Sequence, residues 1–474
     1  MSNIVWKPQD YHFKSSNIAK FISYINEKNF LEIDDYEKLH DWSINNPSIF
    51  WDNVSKFCDI NFSNQPKNIL ERHKSFIGSK WFEGATLNFA ENLLKYKDDT
   101  LAIEYFCEDK IKGRITYKEL HEEVRVCYLH LKSLGVKKGD RLAGYLPNIP
   151  QTIIAMLATS AIGGVWSSCS PDFGIRGVLD RFEQINPKVL FVADGYFYKG
   201  KKIDLTSNIL EIQSSLSSLK ETICINIVNA KKNSQVSYWD DIPKNKGKIN
   251  FEPVTFSHPL YIMYSSGTTG KPKSIVHSVG GTLIQHLKEL VLHCDLKKED
   301  KIFYFTTCGW MMWNWLVSSL SVGAKVVLYE GNPFYPNENS LLKLMDSIEV
   351  SIFGTSAKYI SYIEQNNIFP NQFNFKKLRM ILSTGSPLVN ENYDFVYSDW
   401  KEDVQLCSIS GGTDIISCFA LGNPLKPIIK GRLQSIGLGM NVKSFDENGK
   451  SLIEKKGELG CVDPFPSMPI YFYK

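Results

Sequence analysis

Residues 264–278 read YSSGTTGKPKSIVHS. The nine residues from Ser265 to Lys273 carry four hydroxyl side chains, two glycines and two lysines, directly after the apolar run LYIM. Clusters of Ser, Thr and Gly between regular elements are usually plain turns, so the meaning of this one depends on its surroundings.

Further apolar runs lie at 302–306, 325–329, 351–353, 378–382 and 404–408. Between them stand segments of helical periodicity. One is 117–134, with Leu120, Val124, Cys127, Leu129 and Leu131 in phase, and another is 282–294. Such alternation predicts an α/β fold of mostly parallel, helix-covered sheets. Residues 1–80 read as an N-terminal helical cap with a helix at 36–45. Residues 81–430 read as the α/β core, and 431–474, all short strands and turns, as the start of a small β subdomain. Three of the predicted strands run straight into small polar loops: Tyr264 into SSGTTGKPK, Leu382 into STGSPL and Cys407 into SISGGTDI. In open α/β sheets ligands sit beyond the carboxyl ends of the strands. Three such loops on one sheet edge are therefore expected to make one site.

Composition excludes several classes. The chain has 474 residues, 43% of them hydrophobic, with 54 Lys and Arg against 51 Asp and Glu. A net charge of +3 is not the footprint of a nucleic-acid binder. The start, MSNIVWKPQDYHFK, has no signal-peptide core, and the longest weakly polar run, 152–166, is too short and too interrupted for a membrane span. A cytoplasmic protein acting on small molecules, with neither nucleic-acid nor membrane partners, is expected. The ten cysteines are scattered singly without a C-x-x-C pair, which argues against zinc and against a disulfide framework. His277, His286 and His293 share one region but show no carboxylate partner at ligand spacing, so no metal or triad role is assigned to them.

The loop chemistry suits phosphate oxygens: hydroxyls, glycine-exposed N–H groups and the Lys271 and Lys273 ammoniums. A P-loop would require Gly at 265 and Ser or Thr at 272, where Ser265 and Pro272 stand. The stretch instead resembles the phosphate-loop signature of the adenylate-forming enzymes, the superfamily of acyl-CoA synthetases, luciferases and peptide-synthetase adenylation domains. Further pieces follow in that family's order: ITYKEL at 115–120, GW at 309–310, STGSP at 383–387, GGTD at 411–414 and GELG at 457–460. The resemblance covers nearly the whole chain. WFEGATLNFAEN, SGGTDI and DPFPSMPIYF are similar to one branch, the acetoacetyl-CoA synthetases.

The resemblance implies a two-step ligase. A carboxylate attacks the α-phosphate of ATP and pyrophosphate leaves, after which the thiol of CoA displaces AMP. It implies that Ser265, Ser266, Gly267, Thr268, Thr269, Gly270 and Lys271 hold the β- and γ-phosphates. Gly385, Ser386 and Pro387 line the adenine together with Ser408, Ile409, Ser410, Gly411 and Gly412. Thr413 touches the α-phosphate. Asp414, where most relatives carry Glu, holds Mg²⁺; an isolated Asp in such a place would otherwise read as a helix cap. Thr413, Asp414 and Lys271 are thus the implied catalytic residues. Acetyl-CoA synthetases place a Trp and a Gln where this chain has Gly411 and Gly412, so the missing indole opens the acyl pocket to a four-carbon acid, with Trp310 and Asn314 lining the same cavity. Lys199, Lys201 and Lys202 could meet the 3′-phosphate of CoA, although a short lysine run is more often solvated surface.

Family members continue past Lys474 into a C-terminal domain bearing a catalytic lysine. The resemblance therefore implies a large N-terminal domain without that partner, binding ATP weakly and forming adenylate slowly. Two other readings stay open: a ligase for another short acid such as propionate or butyrate, and a nucleotide-binding remnant without chemistry.

Overall fold

The computed structural model describes residues 3–265 and 270–473. Two helix-covered sheets form the body. In the eight-stranded sheet, Ser237–Tyr238, Glu221–Ile225, Val189–Ala193, Arg141–Tyr145, Val165–Cys169 and Pro259–Ser265 run parallel; Lys273–Ser278 and Tyr471–Tyr473 close it antiparallel. The seven-stranded sheet runs Gln405–Ser408, Met380–Thr384, Ile352–Ser356, Lys301–Tyr304, Lys325–Glu330, Leu101–Cys107 and Ile111–Thr116, all parallel except the last pair.

Parallel strands are covered on both faces, so they must be apolar on both. Val189–Ala193 obeys this fully, with all five residues buried. Where a helix lies deep between layers its polar face disappears as well: in Pro150–Ala161 every residue but Gln151 is buried. Helix starts follow local chemistry. Thr116 and Glu119 form a reciprocal capping box at the head of Tyr117–Ser133, and Ser278 caps Val279–Leu287.

The N-terminal helices Asn17–Asn29, Tyr36–Asn45 and Pro47–Phe57 place Phe21, Leu39, Phe50 and Trp51 in the same apolar core as Leu290 and Trp315. They form a layer of the body. The strand Ile4–Trp6 pairs with Ile428–Ile429. Past residue 440, Val442–Phe445 pairs with Ser451–Leu452 and Glu458–Cys461 in a small antiparallel sheet, and Tyr471–Tyr473 returns to the edge of the eight-stranded sheet.

One expectation is corrected. The three polar loops do not leave one sheet edge: the strand ending at Ser265 belongs to the eight-stranded sheet, whereas those ending at Thr384 and Ser408 belong to the seven-stranded one. Among the described residues no helix is long and apolar enough to cross a membrane, all ten cysteines are free thiols, and no group of three His, Cys, Asp or Glu side chains is placed to hold a metal ion.

Candidate functional site

Parallel pairing of Ser383 with Ser408, extended by the Ile409 N–H donating to the Ser383 carbonyl at 2.8 Å, brings the two downstream loops side by side. Between them opens a cavity of about 480 Å³. Gly385, Ser386 and Pro387 line one side. Gly385 holds φ +88°, which favours a residue without Cβ. Ser408, Ile409, Ser410, Gly411, Gly412 and Thr413 line the other. Trp310, 62% exposed, forms a third wall with Met311 and Met312.

Gly411 and Gly412 belong to the strand Ser410–Gly412, which pairs antiparallel with Ser417–Leu421. Thr413 to Ile416 form the turn between them, closed by the Ile415 N–H to Gly412 O and the Ile416 N–H to Thr413 O, each at 3.3 Å. Asp414 therefore stands exposed in a hairpin turn, and the helix-cap reading of it has no helix to cap.

Of the phosphate-loop residues, Ser265 ends its strand, and Lys271 Nζ lies 3.5 Å from Glu183 Oε2. Ser266, Gly267, Thr268 and Thr269 lie outside the described residues. Ser265, Gly270 and Lys271 do not line the cavity. Neither does Asn314: it is 3% exposed, one helical turn beyond Trp310 in Met311–Val317, and turned toward Tyr261. Its expected place in the acid pocket is corrected on that ground. The glycine pair is also refined. A Cβ on Gly412 would meet nothing within 4 Å among the described residues, but on Gly411 it would meet the Ser417 carbonyl oxygen at 2.2 Å. The open position is 412.

The three histidines are buried and face the site strand. His286 meets the Ile416 carbonyl and Ser318 Oγ at 2.8 Å each, and His293 meets the Gly422 carbonyl at 2.9 Å. His277 is wholly buried with the Thr413 backbone beside its ring. Burial pushes the His277 imidazole down to about 3 and His286 to about 4, so both are neutral props. Sequence reading missed Arg432, which joins the cavity rim beside Gly431 and Leu433.

A second cavity of about 860 Å³ shares Trp310, Met312, Thr384 and Gly385 with the first. Tyr196 and Tyr198 line it, with Lys199, Lys201 and Lys202 just beyond on the same hairpin. Lys202 Nζ is tied to the Val228 carbonyl at 2.9 Å. The floor holds Glu330, buried, accepting the Asn148 N–H at 2.6 Å. Desolvation raises its carboxyl from 4.5 to about 7 against that hydrogen bond, with Asp172 and Glu108 adding repulsion. Between those two values the folded chain binds more protons than the unfolded chain, so this group's contribution to stability falls as pH rises from about 4.5 through about 7. Glu330→Gln, which keeps an acceptor for Asn148, is expected to raise stability near pH 8 by on the order of 3 kcal/mol. The gain should fade toward about pH 5 in denaturant unfolding; an equal change at both ends would refute a charged Glu330 as its source.

The sequence model described as AMP-binding enzyme matches residues 89–465, and that described as acetyl-coenzyme A synthetase N-terminus matches 36–93. The chain is 44% identical to an acetoacetyl-coenzyme A synthetase of Rhizobium meliloti (strain 1021), over 99% of this chain and 73% of the relative. It is 42% identical to the acetoacetyl-CoA synthetase of Gallus gallus, over 100% of this chain and 73% of that one. The solved acetoacetyl-CoA synthetase from Streptomyces lividans superposes with a TM-score of 0.95 at 39% identity, covering 99% of this chain and 74% of that chain. The chain thus spans about three quarters of the length of these relatives. A family match over most of the sequence, together with a cavity built from the loops that carry its motifs, shows that the chain belongs to the AMP-binding enzyme family.

Proposed function

We propose that the chain is an ATP-dependent acid:CoA ligase whose acid is acetoacetate. The observation that carries this is the cavity at the paired strand ends, where Gly412 leaves open the place that a bulkier residue would fill. The names of the relatives at 42–44% identity support the choice of acid.

On this reading the adenine lies between 385–387 and 408–412, and the acid lies against Trp310 and Gly412. An acid oxygen attacks the α-phosphorus, the bond to the bridging oxygen breaks, and pyrophosphate leaves. The Thr413 hydroxyl donates to an α-phosphate oxygen as charge builds there. The thiol, approaching through the second cavity, loses its proton to solvent and adds as thiolate to the acyl carbon; the carbon–oxygen bond to AMP breaks and AMP departs with its electron pair. What the protein supplies is position, since the acid and the nucleotide share one cavity and the thiol enters from the adjoining one. One exposed carboxylate beside Thr413, with no acidic cluster among the described residues, suits a hard ion that takes most of its ligands from phosphate and water. Asp414 would hold Mg²⁺, which neutralises phosphate charge when bound.

Hydroxylamine trapping of the acyl-adenylate over a panel of short acids tests the proposal. Acetoacetate should give the highest kcat/KM. A maximum at propionate or butyrate would reassign the acid, and no ATP-dependent hydroxamate with any acid would refute the ligase reading.

A further inference from the structure

Behind the two glycines lies a charge that the reaction scheme does not use. Glu289, 0% exposed, sits in the π-helical segment Lys288–His293 that continues Val279–Leu287. Its Oε1 accepts from the Ser417 hydroxyl, from the Cys418 N–H at 3.1 Å and from the Gln285 amide at 3.3 Å, with the Lys288 ammonium at 3.5 Å. Its Oε2 accepts from the Trp315 indole N–H at 2.9 Å.

Those partners belong to different walls of the cavity. Ser417 and Cys418 are the strand partners of Gly412 and Gly411, and Cys418 itself lines the cavity. Trp315 stands on Met311–Val317, whose first turn supplies Met311 and Met312 to another wall. One carboxylate, an oxygen to each side, spans from the glycine strand to the tryptophan helix. A buried charge is held this way only when its partners are fixed by it in return.

We propose that Glu289 is a positioning residue that sets the width of the acyl end of the cavity and so favours a short acid over a longer one. The inference rests on the ligase reading. Freed from either oxygen, the corresponding wall is no longer tied to its opposite and yields to a longer chain. The strand itself survives such a loss, because His286 and His293 grip it at Ile416 and Gly422. A carboxylate serving only to satisfy core donors would behave differently, since its loss would weaken the fold and lower affinity for every acid alike.

Three variants separate the two cases. Trp315→Phe removes the Oε2 arm, Ser417→Ala removes one Oε1 arm, and Ser417→Thr retains the hydroxyl. The probes are non-hydrolysable acyl sulfamoyl adenosines bearing either acetoacetyl or a chain about four carbons longer, titrated calorimetrically into the full chain alongside its melting midpoint. The preference for the short probe should fall about tenfold in Trp315→Phe and Ser417→Ala, with Ser417→Thr restoring it. Equal losses for both probes, whatever the melting midpoint, would overturn the positioning role. A native chain that binds neither probe would overturn the ligase reading and this inference with it; a native chain that binds both, with variants of unchanged preference, would overturn the inference alone.

Discussion

Gly411→Ala is expected to lower stability by about 1–3 kcal/mol and to reduce adenylate formation about a hundredfold, whereas Gly412→Ala should be close to neutral. The asymmetry comes from what each new methyl group would meet. At 411 it would lie 2.2 Å from the Ser417 carbonyl oxygen and 2.7 Å from the Cys418 Cα. These are backbone atoms, without the freedom of a side-chain tip to swing away. The Gly411–Cys418 pair must open, yet Cys418 is held from behind by Glu289. Strain then passes to the opposite side of the pair, the 410–413 segment that lines the first cavity. At 412 nothing among the described residues lies within 4 Å, so a methyl group there projects into open cavity. Denaturant midpoints and hydroxamate rates for the pair decide the matter: an Ala at 411 with native midpoint and rate would show that the strand pair has room to give.

The parallel strands were legible because burial on both faces selects apolar residues, as in 326–329 and 380–382 within the expected 325–329 and 378–382, and the observed Lys325–Glu330 and Met380–Thr384 lie within two residues of those bounds. The helix expected over 282–294 begins three residues earlier, where Ser278 caps it, and finishes as a π turn. The assignment of strands to sheets was not legible, because strand chemistry is the same in either sheet. Only the pairing of Pro259–Ser265 with Val165–Cys169, rather than with Ile352–Ser356, separates the phosphate loop's sheet from that of its neighbours.

Burial of individual polar groups was equally hidden. QHLKEL at 285–290 has the look of a helix's wet face, but Gln285, His286, Lys288 and Glu289 are each 0% exposed, because Ser417, Ile416 and Cys418, more than a hundred residues on, fold over Gln285, His286 and Glu289. Asn314 went astray for a local reason. In WMMWNW the aromatic run gives no helical phase, and only the observed start of the helix after Trp310 sends Trp310 outward and Asn314 inward. Arg432 reaches the rim through a turn anchored by pairing of Ile428–Ile429 with Ile4–Trp6, some four hundred residues apart, which no local pattern records.

Asp414→Asn is expected to slow adenylate formation about 10²–10³-fold with little change in stability. The carboxylate is exposed in the turn 413–416, and among the described residues it forms no ion pair, so the folded chain gains little from its charge; substitutions at such places usually shift stability by less than about 0.5 kcal/mol. On the proposed reading the charge would acquire value when phosphates and a divalent ion bind beside Thr413, where Asp414 would hold the ion and the ion would supply neutralisation of phosphate charge. Asparagine keeps the shape and one oxygen but not the charge. The Mg²⁺ concentration for half-maximal rate should therefore rise, while KM for the acid, which the proposal places at Trp310 and Gly412, should stay near its native value. Asp414→Glu, which lengthens the arm without removing charge, should recover most of the loss. The measurement is a Mg²⁺ titration of hydroxamate formation at saturating acid. A native-like Asn variant would place the ion elsewhere, and a fall in melting midpoint that matches the fall in rate would make Asp414 a structural residue of the hairpin.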